Sequence, residues 1–190
     1  MIGASLRLKF VTSNEGKWLE VSRLLSSLGV ECDRVNASLT EVQSDDLTEI
    51  ARRAAVEAYG LFGGPLAVED AGLFVEELGG FPGPYSSYVY RTIGVSGLLK
   101  LMTGVQKRRA YFLSAVGYAD LHGSVRVFVG KVEGRISEEP KGSGGFGFDP
   151  VFVPENETKT FAEMSTDEKN LYSHRARAFR SLVESLQRGL

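Results

Sequence analysis

The run from Thr12 to Lys17 combines residue types that bind phosphate at the start of a helix. A predicted strand ends there, a polar turn follows, and a helix is expected to begin. Backbone N–H groups at a helix N-terminus attract phosphate, and Asn14 is a preferred N-cap residue. Lys17 in the first turn opposes the helix dipole unless an anion lies nearby. The run therefore favours a phosphate site over an ordinary capped helix, but it lacks the glycine and lysine spacing of a P-loop.

Two adjacent acids, Glu69 and Asp70, are candidates for metal binding. They follow the apolar run Leu66 to Val68 and are expected at the end of a strand. Burying two carboxylates is costly unless they are paired or bind a metal, and Mg²⁺ prefers such oxygen ligands. Glu41 could supply a third carboxylate. The spacing alone leaves two alternatives open, a magnesium site and a solvated strand end.

A glycine-rich run from Gly142 to Pro150 could bring the backbone close to a ligand, because glycine has no side chain in the way. Asp149 can accept hydrogen bonds there. Phe146 and Phe148 alternate, so one ring could face a planar base while the other packs inward. The alternative is a flexible hairpin loop with two core aromatics.

The segment from Thr160 to Arg177 is predicted to be helical and to contain several polar candidates. Ser165 and Glu168 form a capping-box pattern, and Lys169 follows at once. A capping box marks the start of a helix, so we expect one to begin at this point.

Three consecutive candidates, Ser173 to Arg175, follow on the same segment. On a continuous helix, three consecutive side chains span roughly 200° around the helix axis and cannot all face one ligand. If they serve one site, the helix must break near Tyr172, and Ser173 would cap a new helix. Taken alone, His174 is more often structural than catalytic.

Hydrophobic periodicity predicts a mixture of strands and helices. The predicted strands are Leu6 to Thr12, Val30 to Val35, one opening at Leu66, Arg109 to Asp120 and Val125 to Ile136. The predicted helices are one capped at Asn14 that stops at Gly29, Leu47 to Leu61, Val95 to Thr103 and the C-terminal region, whereas Gly79 to Pro84 is not expected to be regular. This mixture indicates an α/β or mixed α+β domain around one twisted mixed sheet.

Length and composition fit one globular domain, or one domain with two lobes: 190 residues, 43% hydrophobic and 24% charged. With a net charge of −2, the chain has no overall positive potential that would attract a nucleic acid backbone. Binding a triphosphate would require positive charge concentrated at the site, and a metal. The single cysteine, Cys32, is interpreted as a small hydrophobe rather than a nucleophile. No apolar run approaches the ~20 residues of a membrane span, and a cytoplasmic enzyme is expected.

Five runs, in this order and over nearly the whole chain, resemble the inosine triphosphate pyrophosphatase family, the house-cleaning pyrophosphatases of non-standard purine nucleotides. They are Thr12-Ser13-Asn14 with Lys17 and Glu20, Val68 to Leu73, Gly79 to Ser86, Gly145 to Pro150, and Thr160 to Met164 continuing through Glu168-Lys169-Asn170 to Ser173-His174-Arg175. Each run alone is weak evidence, but five in the family's order are very specific. The stretch Phe74 to Gly94 is most similar to archaeal members.

The resemblance implies an elongated mixed sheet flanked by helices, with two lobes and an active-site cleft between them. It implies hydrolysis of ITP, dITP or XTP to the monophosphate and pyrophosphate, with Mg²⁺ as the cofactor. It also implies a homodimer, since family members usually form one.

The resemblance also assigns roles to individual residues. Asp70 and Glu41 would bind Mg²⁺, and Asp70 would act as general base with Glu69 close by, while Lys17 would stabilise developing charge. The triphosphate would be held by Thr12, Ser13, Asn14, Glu15, Gly16 and Lys17. The base and sugar would be surrounded by Phe146, Gly147, Phe148, Asp149, Lys169, His174 and Arg175.

The sequence departs from the family pattern in two ways. Ala71 stands where many members carry Ser or Thr, so a backbone contact to substrate would survive there but a hydroxyl contact would not. Many members also carry a lysine on the helix that corresponds to Leu47 to Leu61. This chain has only Arg52 and Arg53 there, and either could replace the lysine as a phosphate contact.

Two other functions compete with this interpretation. One is a related pyrophosphatase for modified pyrimidine nucleotides, which the run Ser173 to Arg175 disfavours. The other is a nucleotide-binding module without catalysis, which the combination of Lys17, Glu41 and Asp70 disfavours. Nucleic-acid binding is disfavoured by the charge.

Overall fold

The computed structural model describes residues 6–40 and 42–189, which form a mixed sheet flanked by helices. The strands are β1 (Leu6–Val11), β2 (Val30–Val35), β3 (Leu66–Val75), β4 (Pro82–Gly83), β5 (Arg109–Ala119), β6 (Val125–Ile136) and β7 (Phe152–Pro154). The α-helices are α1 (Glu15–Ser27), α2 (Leu47–Phe62), α3 (Ser86–Thr92), α4 (Gly94–Leu101), α5 (Thr166–Tyr172) and α6 (His174–Gln187). Short 3-10 helices span Glu76–Leu78, Asp149–Val151 and Phe161–Glu163. None of the helices in these ranges has the length and apolar character needed to cross a bilayer.

The sheet has the strand order β2-β1-β3-β5-β6-β7, with β4 paired to β3. β1 runs parallel to β2 and β3, whereas β3, β5, β6 and β7 are antiparallel to one another in turn. The expected α/β class with a mixed central sheet is therefore confirmed.

Within the part of the chain that the structure describes, one edge of β3 has no strand beside it over part of its length. β1 pairs with β3 only at Leu66 and Ala67, and β4 pairs with it only at Leu73 and Phe74. The intervening residues, 68 to 72, therefore lie in a gap between two neighbouring strands. This gap is where the cleft described below opens.

The expectation that Glu69 and Asp70 end a strand was wrong. Both lie inside the ten-residue strand β3, where they pair with Val116 and Ala115 of β5. The apolar pattern stops at Glu69 because the side chains meet charged partners there, while the backbone ladder with β5 continues to Val75.

The central strands and the long helices agree closely with the sequence pattern. α2, β5 and β6 each begin where predicted, and Gly29, with a positive φ of 72°, follows α1. Several short elements were not predicted, among them α3, and β4 at Pro82–Gly83, which lies inside a run expected to be irregular. Elements of seven and two residues are too short to show a hydrophobic period.

Helices cover both faces of the sheet. On one face α1 and α6 pack on β1, with the rings of Phe10 and Phe179 edge-to-face at 5.3 Å. On the other face α2 places Ala55 and Ala58 against Leu66 and Val68. Because β3 is packed on both faces, its residues near the gap are held in fixed positions.

Candidate active site

A cleft of about 650 Å³ opens at the gap beside β3. Its walls come from the turn before α1, the segment after β2, α2, the middle of β3, α3, the glycine-rich loop and the junction of α5 and α6. This volume lies within the range of small-molecule sites. The cleft brings together all four of the segments that the sequence singles out.

The start of α1 has the predicted capping. Asn14 is the N-cap, and its side-chain oxygen accepts a hydrogen bond from the Lys17 backbone N–H at 2.9 Å. Thr12 Oγ1 accepts from the Asn14 N–H at 3.2 Å. The Glu15 side chain turns toward Arg34 and pairs with it at the edge of the cleft. The polar turn is thereby fixed with the helix N-terminus facing the cleft.

Lys17 reaches across the gap to β3. Its Nζ donates to the Glu69 carbonyl oxygen at 2.9 Å and lies 3.0 Å from Glu69 Oε2 and 4.0 Å from Asp70 Oδ1. The anion that the sequence pattern requires near Lys17 is therefore present in the protein itself. Lys17 therefore connects the polar turn at the start of α1 to Glu69 and Asp70.

Glu69 is a buried anion held by cations. Its side chain has no exposed surface, and its Oε1 accepts from the Ser114 hydroxyl at 2.6 Å and lies 3.2 Å from Arg175 Nε. Burial alone would raise the pKa of Glu69, but the charges of Arg175 and Lys17 outweigh it and hold that pKa well below its usual range. A carboxylate in this state positions Lys17 and Arg175, because it is neither basic nor accessible to water.

Asp70 differs from its neighbour in being accessible. About a third of its side chain, 32%, is exposed, on the cleft side of β3. Its Oδ1 accepts from the Ala71 backbone N–H at 2.9 Å, so that N–H is already engaged by the protein. Asp70 is therefore the carboxylate of this pair that can meet a ligand.

The predicted helix break lies at Ser173. α5 ends at Tyr172, Ser173 has extended backbone angles (φ −65°, ψ 150°), and α6 begins at His174. The Ser173 hydroxyl caps α6 by accepting from the Ala176 N–H at 3.2 Å. The predicted capping box of Ser165 and Glu168 at the start of α5 is also present. Because of this break, Lys169, His174 and Arg175 all border the same cleft.

Lys169 and Arg175 are buried in a cluster of opposite charges. Lys169 Nζ lies 2.6 Å from Glu20 Oε1 and 2.5 Å from Asp149 Oδ2, and Arg175 Nη1 lies 2.5 Å from Glu20 Oε2. Each of these side chains is at most 5% exposed. The cluster joins α1, the glycine-rich loop, α5 and α6 beneath the cleft.

The ionisation of the cluster follows from its geometry. Burial would raise the pKa of Glu20, but the two cations Arg175 and Lys169 outweigh it and lower that pKa. Burial and the neighbouring Glu20 charge raise the pKa of Asp149 despite its contact with Lys169. The Arg175 pKa is raised by Glu69 and Glu20 against the effect of burial. Arg175 therefore stays charged.

His174 is buried and neutral. It is 2% exposed, and its ring stacks on Phe112 with centroids 4.6 Å apart. Burial, reinforced by the charge of Arg175, lowers the pKa of His174 well below its usual value. Its Nδ1 is buried without a hydrogen-bond partner among the described residues. A neutral imidazole offers one N–H donor and one acceptor to a ligand.

The two phenylalanines of the glycine-rich loop have different roles. Phe148 is 3% exposed and packs in the core, whereas Phe146 is half-buried at the cleft, with Lys169 Nζ 5.1 Å from its ring centroid. Asp149 Oδ2 fixes the loop by accepting from the Phe146 N–H at 2.8 Å. A Cβ at Gly16 would lie 2.3 Å from Phe146 Cδ1, so this ring packs directly on the start of α1.

The predicted site residues in the described ranges all border the cleft: Thr12 to Lys17, Glu69, Asp70, Ala71, Phe146 to Asp149, Lys169, His174 and Arg175. Glu41 lies outside the described residues. Neither Arg52 nor Arg53 borders the cleft. Arg53 pairs with Glu49 at 2.6 Å and Arg52 points toward the Val125 carbonyl, because α2 presents its small apolar face to the cleft instead.

Sequence reasoning missed several contributions to this site, among them Glu20 and α3. Glu20 was part of a matching run but received no role, although its place one turn after Gly16 on the buried side of α1 could have indicated a partner for Lys169 or Arg175. Ser87, Tyr90 and Arg91 of α3 also border the cleft. No sequence signal marked them, since α3 itself was not predicted.

Comparison with known proteins assigns the chain to a family. A model of the Ham1 family matches residues 8–185. The chain belongs to this family. It is 47% identical over 187 residues to a dITP/XTP pyrophosphatase of Saccharolobus solfataricus, covering 98% of this chain and 97% of that protein. It is 53% identical over 176 residues to one from Hyperthermus butylicus, covering 93% and 92%.

Solved structures of Ham1 proteins have the same fold. The Ham1 protein of Coxiella burnetii superposes with a TM-score of 0.81 at 26% identity, covering 95% of this chain and 99% of that one. The Ham1 protein of Staphylococcus aureus gives a TM-score of 0.79 at 25% identity, covering 96% and 100%. The family resemblance and fold predicted from the sequence are thus confirmed.

Proposed function

We propose that this chain hydrolyses the non-standard purine nucleoside triphosphates ITP, dITP and XTP to the monophosphate and pyrophosphate, which removes damaged nucleotides from the pool. One observation carries the proposal: the cleft joins a capped helix N-terminus, the accessible carboxylate of Asp70 and an aromatic ring flanked by cations at Phe146. Ham1 relatives named dITP/XTP pyrophosphatase, aligned over nearly the full chain, support the same reaction class.

The reaction is a water attack on the α-phosphorus. The water oxygen bonds to that phosphorus while the bond to the oxygen bridging the α- and β-phosphates breaks, and pyrophosphate leaves with the bonding electron pair. Asp70 accepts the proton of the attacking water, because its carboxylate is the accessible one of the acidic pair. Glu69 does not take up this proton. It acts indirectly, by holding Lys17 at the gap beside Asp70.

The phosphates are bound by the start of α1 and by Lys17. Backbone N–H groups and the dipole of α1 favour negative charge at this end of the helix. Lys17 Nζ, 4.0 Å from Asp70 Oδ1, lies where it can stabilise charge that develops on phosphate oxygens.

Mg²⁺ fits this donor set through Asp70. A triphosphate adds several negative charges to a cleft whose buried cations are already paired with carboxylates. The described residues contain no group of three or more metal-ligating side chains, but Mg²⁺ is commonly held by one or two carboxylates together with substrate phosphates. When bound, Mg²⁺ would neutralise phosphate oxygens. The share of Glu41 in this site stays a prediction from the sequence.

Base selection rests on the cluster beneath Phe146. ITP and XTP present a carbonyl at the purine 6-position, whereas ATP presents an amino group. Arg175 stays charged and neutral His174 offers one N–H, so these donors suit a carbonyl acceptor. An amino group would leave a buried donor unpaired, which costs about 1–3 kcal/mol. GTP shares the 6-carbonyl, so its rejection requires discrimination at position 2.

A nucleotide panel with pyrophosphate detection tests this function. ITP, dITP and XTP are each incubated with the protein and Mg²⁺ beside ATP, GTP and a set of modified pyrimidine triphosphates. We expect pyrophosphate release from the first three at a kcat/KM at least tenfold above the rest. Preference for a pyrimidine substrate, or tight ITP binding without turnover, would overturn the proposal.

Asp70→Asn isolates the chemical step from binding. The amide keeps the shape of the side chain but cannot accept a proton, so kcat for ITP should fall by about 10²–10⁴-fold. Asp167→Asn is the matched control, because Asp167 is 75% exposed and lies outside the cleft. Full activity in Asp70→Asn would remove Asp70 from the mechanism.

Assembly as a homodimer is the further part of the proposal. Large apolar side chains are exposed on α3 and in the residues just before and after it, namely Phe81, Tyr85, Tyr88 and Ile93, at 39–62% exposure. Exposed apolar clusters of this kind mark contact surfaces, and a second copy is the partner implied by the family resemblance. Light scattering of wild type and Tyr88→Glu tests this, with a dimer expected only for wild type. The cytoplasmic location stays a prediction from the sequence.

A further inference from the structure

Arg91 is a cation of the cleft that stands apart from the buried charge cluster. It lies in the last turn of α3 and borders the cleft with Ser87 and Tyr90 of the same helix. Its side chain is exposed, and its guanidinium donates to Ser87 Oγ at 3.3 Å. The remaining N–H donors lie in the plane of the guanidinium, point outward from its edge and can bind an anion.

The other cations that border the cleft are already neutralised. Lys17 pairs with Glu69 at 3.0 Å, Lys169 with Asp149 at 2.5 Å, and Arg175 with Glu20 at 2.5 Å. Within residues 6–40 and 42–189, Arg91 is the one cation bordering the cleft that forms no ion pair with a carboxylate. An incoming anion is therefore stabilised more by the charge of Arg91 than by the charge of a cation that is already paired with a buried carboxylate.

The wall formed by α2 supplies no positive charge. Its contribution to the cleft is Ile50, Ala51 and Ala54, which are apolar. Arg52 and Arg53 face away from the cleft, toward Val125 and Glu49. The phosphate contact that the sequence suggested for α2 must therefore come from another element, and α3 is the element that offers one.

Arg91 is carried by a helix that is fixed to both halves of the site. Ser86 Oγ accepts from the Leu73 N–H at 2.8 Å and donates to the Gly83 carbonyl at 2.7 Å, which fixes α3 to β3. The Tyr90 ring packs edge-on against Phe148 of the glycine-rich loop at 5.6 Å. Arg91 is therefore positioned relative to Asp70 on β3 as well as to the loop that carries Phe146.

We propose that Arg91 binds the β- and γ-phosphates, which leave as pyrophosphate; this inference rests on the proposed hydrolase function. The α-phosphate must lie beside Asp70 for attack, so the exposed position of Arg91 suits the phosphates farther from the base. Arginine binds phosphate through two parallel hydrogen bonds. Arg91 thus supplies from α3 the charge that α2 lacks.

Calorimetric titration of Arg91→Ala with Mg²⁺–pyrophosphate and with IMP tests the proposal without turnover. We expect affinity for pyrophosphate to fall by about 10- to 100-fold, affinity for IMP to stay within twofold, and Arg91→Lys to be intermediate because lysine lacks the paired donors. Arg109→Ala, which removes a 70% exposed arginine outside the cleft, should match wild type for both ligands.

Three outcomes would overturn this role of Arg91. They are unchanged pyrophosphate affinity, an equal loss of affinity for IMP and pyrophosphate, and an altered oligomeric state with normal pyrophosphate binding, which would place Arg91 at a contact between copies. Absence of ITP hydrolysis by wild type would count against the proposed function alone, since the titrations do not depend on turnover.

Discussion

Glu20 of α1 and Arg175 of α6 form a buried ion pair in which Oε2 lies 2.5 Å from Nη1. The other oxygen of Glu20 binds Lys169 of α5 at 2.6 Å. The Glu20 carboxylate therefore connects α1, which begins at the proposed phosphate site, with Lys169 and Arg175, the two cations beside Phe146. This side chain therefore fixes the position of α1 relative to α5 and α6.

Glu20→Gln should strongly destabilise the protein. The substitution keeps the shape but removes the negative charge shared by Arg175 and Lys169, and breaking a buried ion pair costs about 3–5 kcal/mol. Urea unfolding measures the loss, with the exposed Glu77 changed to Gln as the control. A change below about 1 kcal/mol, similar to that of the control, would mean that Arg175 and Lys169 do not depend on Glu20.

Gly16→Ala should impair substrate binding while leaving the fold intact. The added Cβ would lie 2.3 Å from Cδ1 of Phe146, so the ring must move from its place at the start of α1. We expect KM for ITP to rise by about tenfold or more, because such a shift disturbs a fitted site. Gly60→Ala on α2, where an added Cβ has nothing within 4 Å, is the matched control. Equal KM values for the two variants would contradict the packing of Phe146 on Gly16.

His174 should make stability depend on pH below neutrality. The folded protein keeps His174 neutral, whereas the unfolded chain takes up a proton below about pH 6.5. The unfolded state then binds more protons, so the free energy of unfolding falls as pH falls from 6.5, by up to ~1.4 kcal/mol per pH unit. Chemical unfolding between pH 7 and 5 measures this slope. His174→Gln should flatten it, and an identical slope in the variant would show that His174 is not held neutral.

Elements defined by local signals were predictable from the sequence. The break at Ser173 followed from the requirement that Lys169, His174 and Arg175 face one cleft, and the Ser173 hydroxyl caps the new helix as expected. The Asn14 cap and the long strands β5 and β6 carry equally local patterns.

Features that depend on distant partners were not predictable. Glu69 lies inside β3 rather than at its end because β5 pairs with β3 at this position. The buried carboxylate of Glu69 is stabilised by Ser114 and Arg175, which lie 45 residues or more further along the chain. The role of Glu20 required Lys169, 149 residues away, to be adjacent in space. α3 has no hydrophobic period of its own, so the place of Arg91 at the cleft emerged only from the fold.

The point of water attack is the most direct test of the central claim. ITP is hydrolysed with Mg²⁺ in ¹⁸O-labelled water, and both products are analysed by mass spectrometry, with Asp70→Asn as the inactive control. Attack at the α-phosphorus predicts one labelled oxygen in IMP and unlabelled pyrophosphate. Label in pyrophosphate, or release of IDP with labelled orthophosphate, would contradict the account.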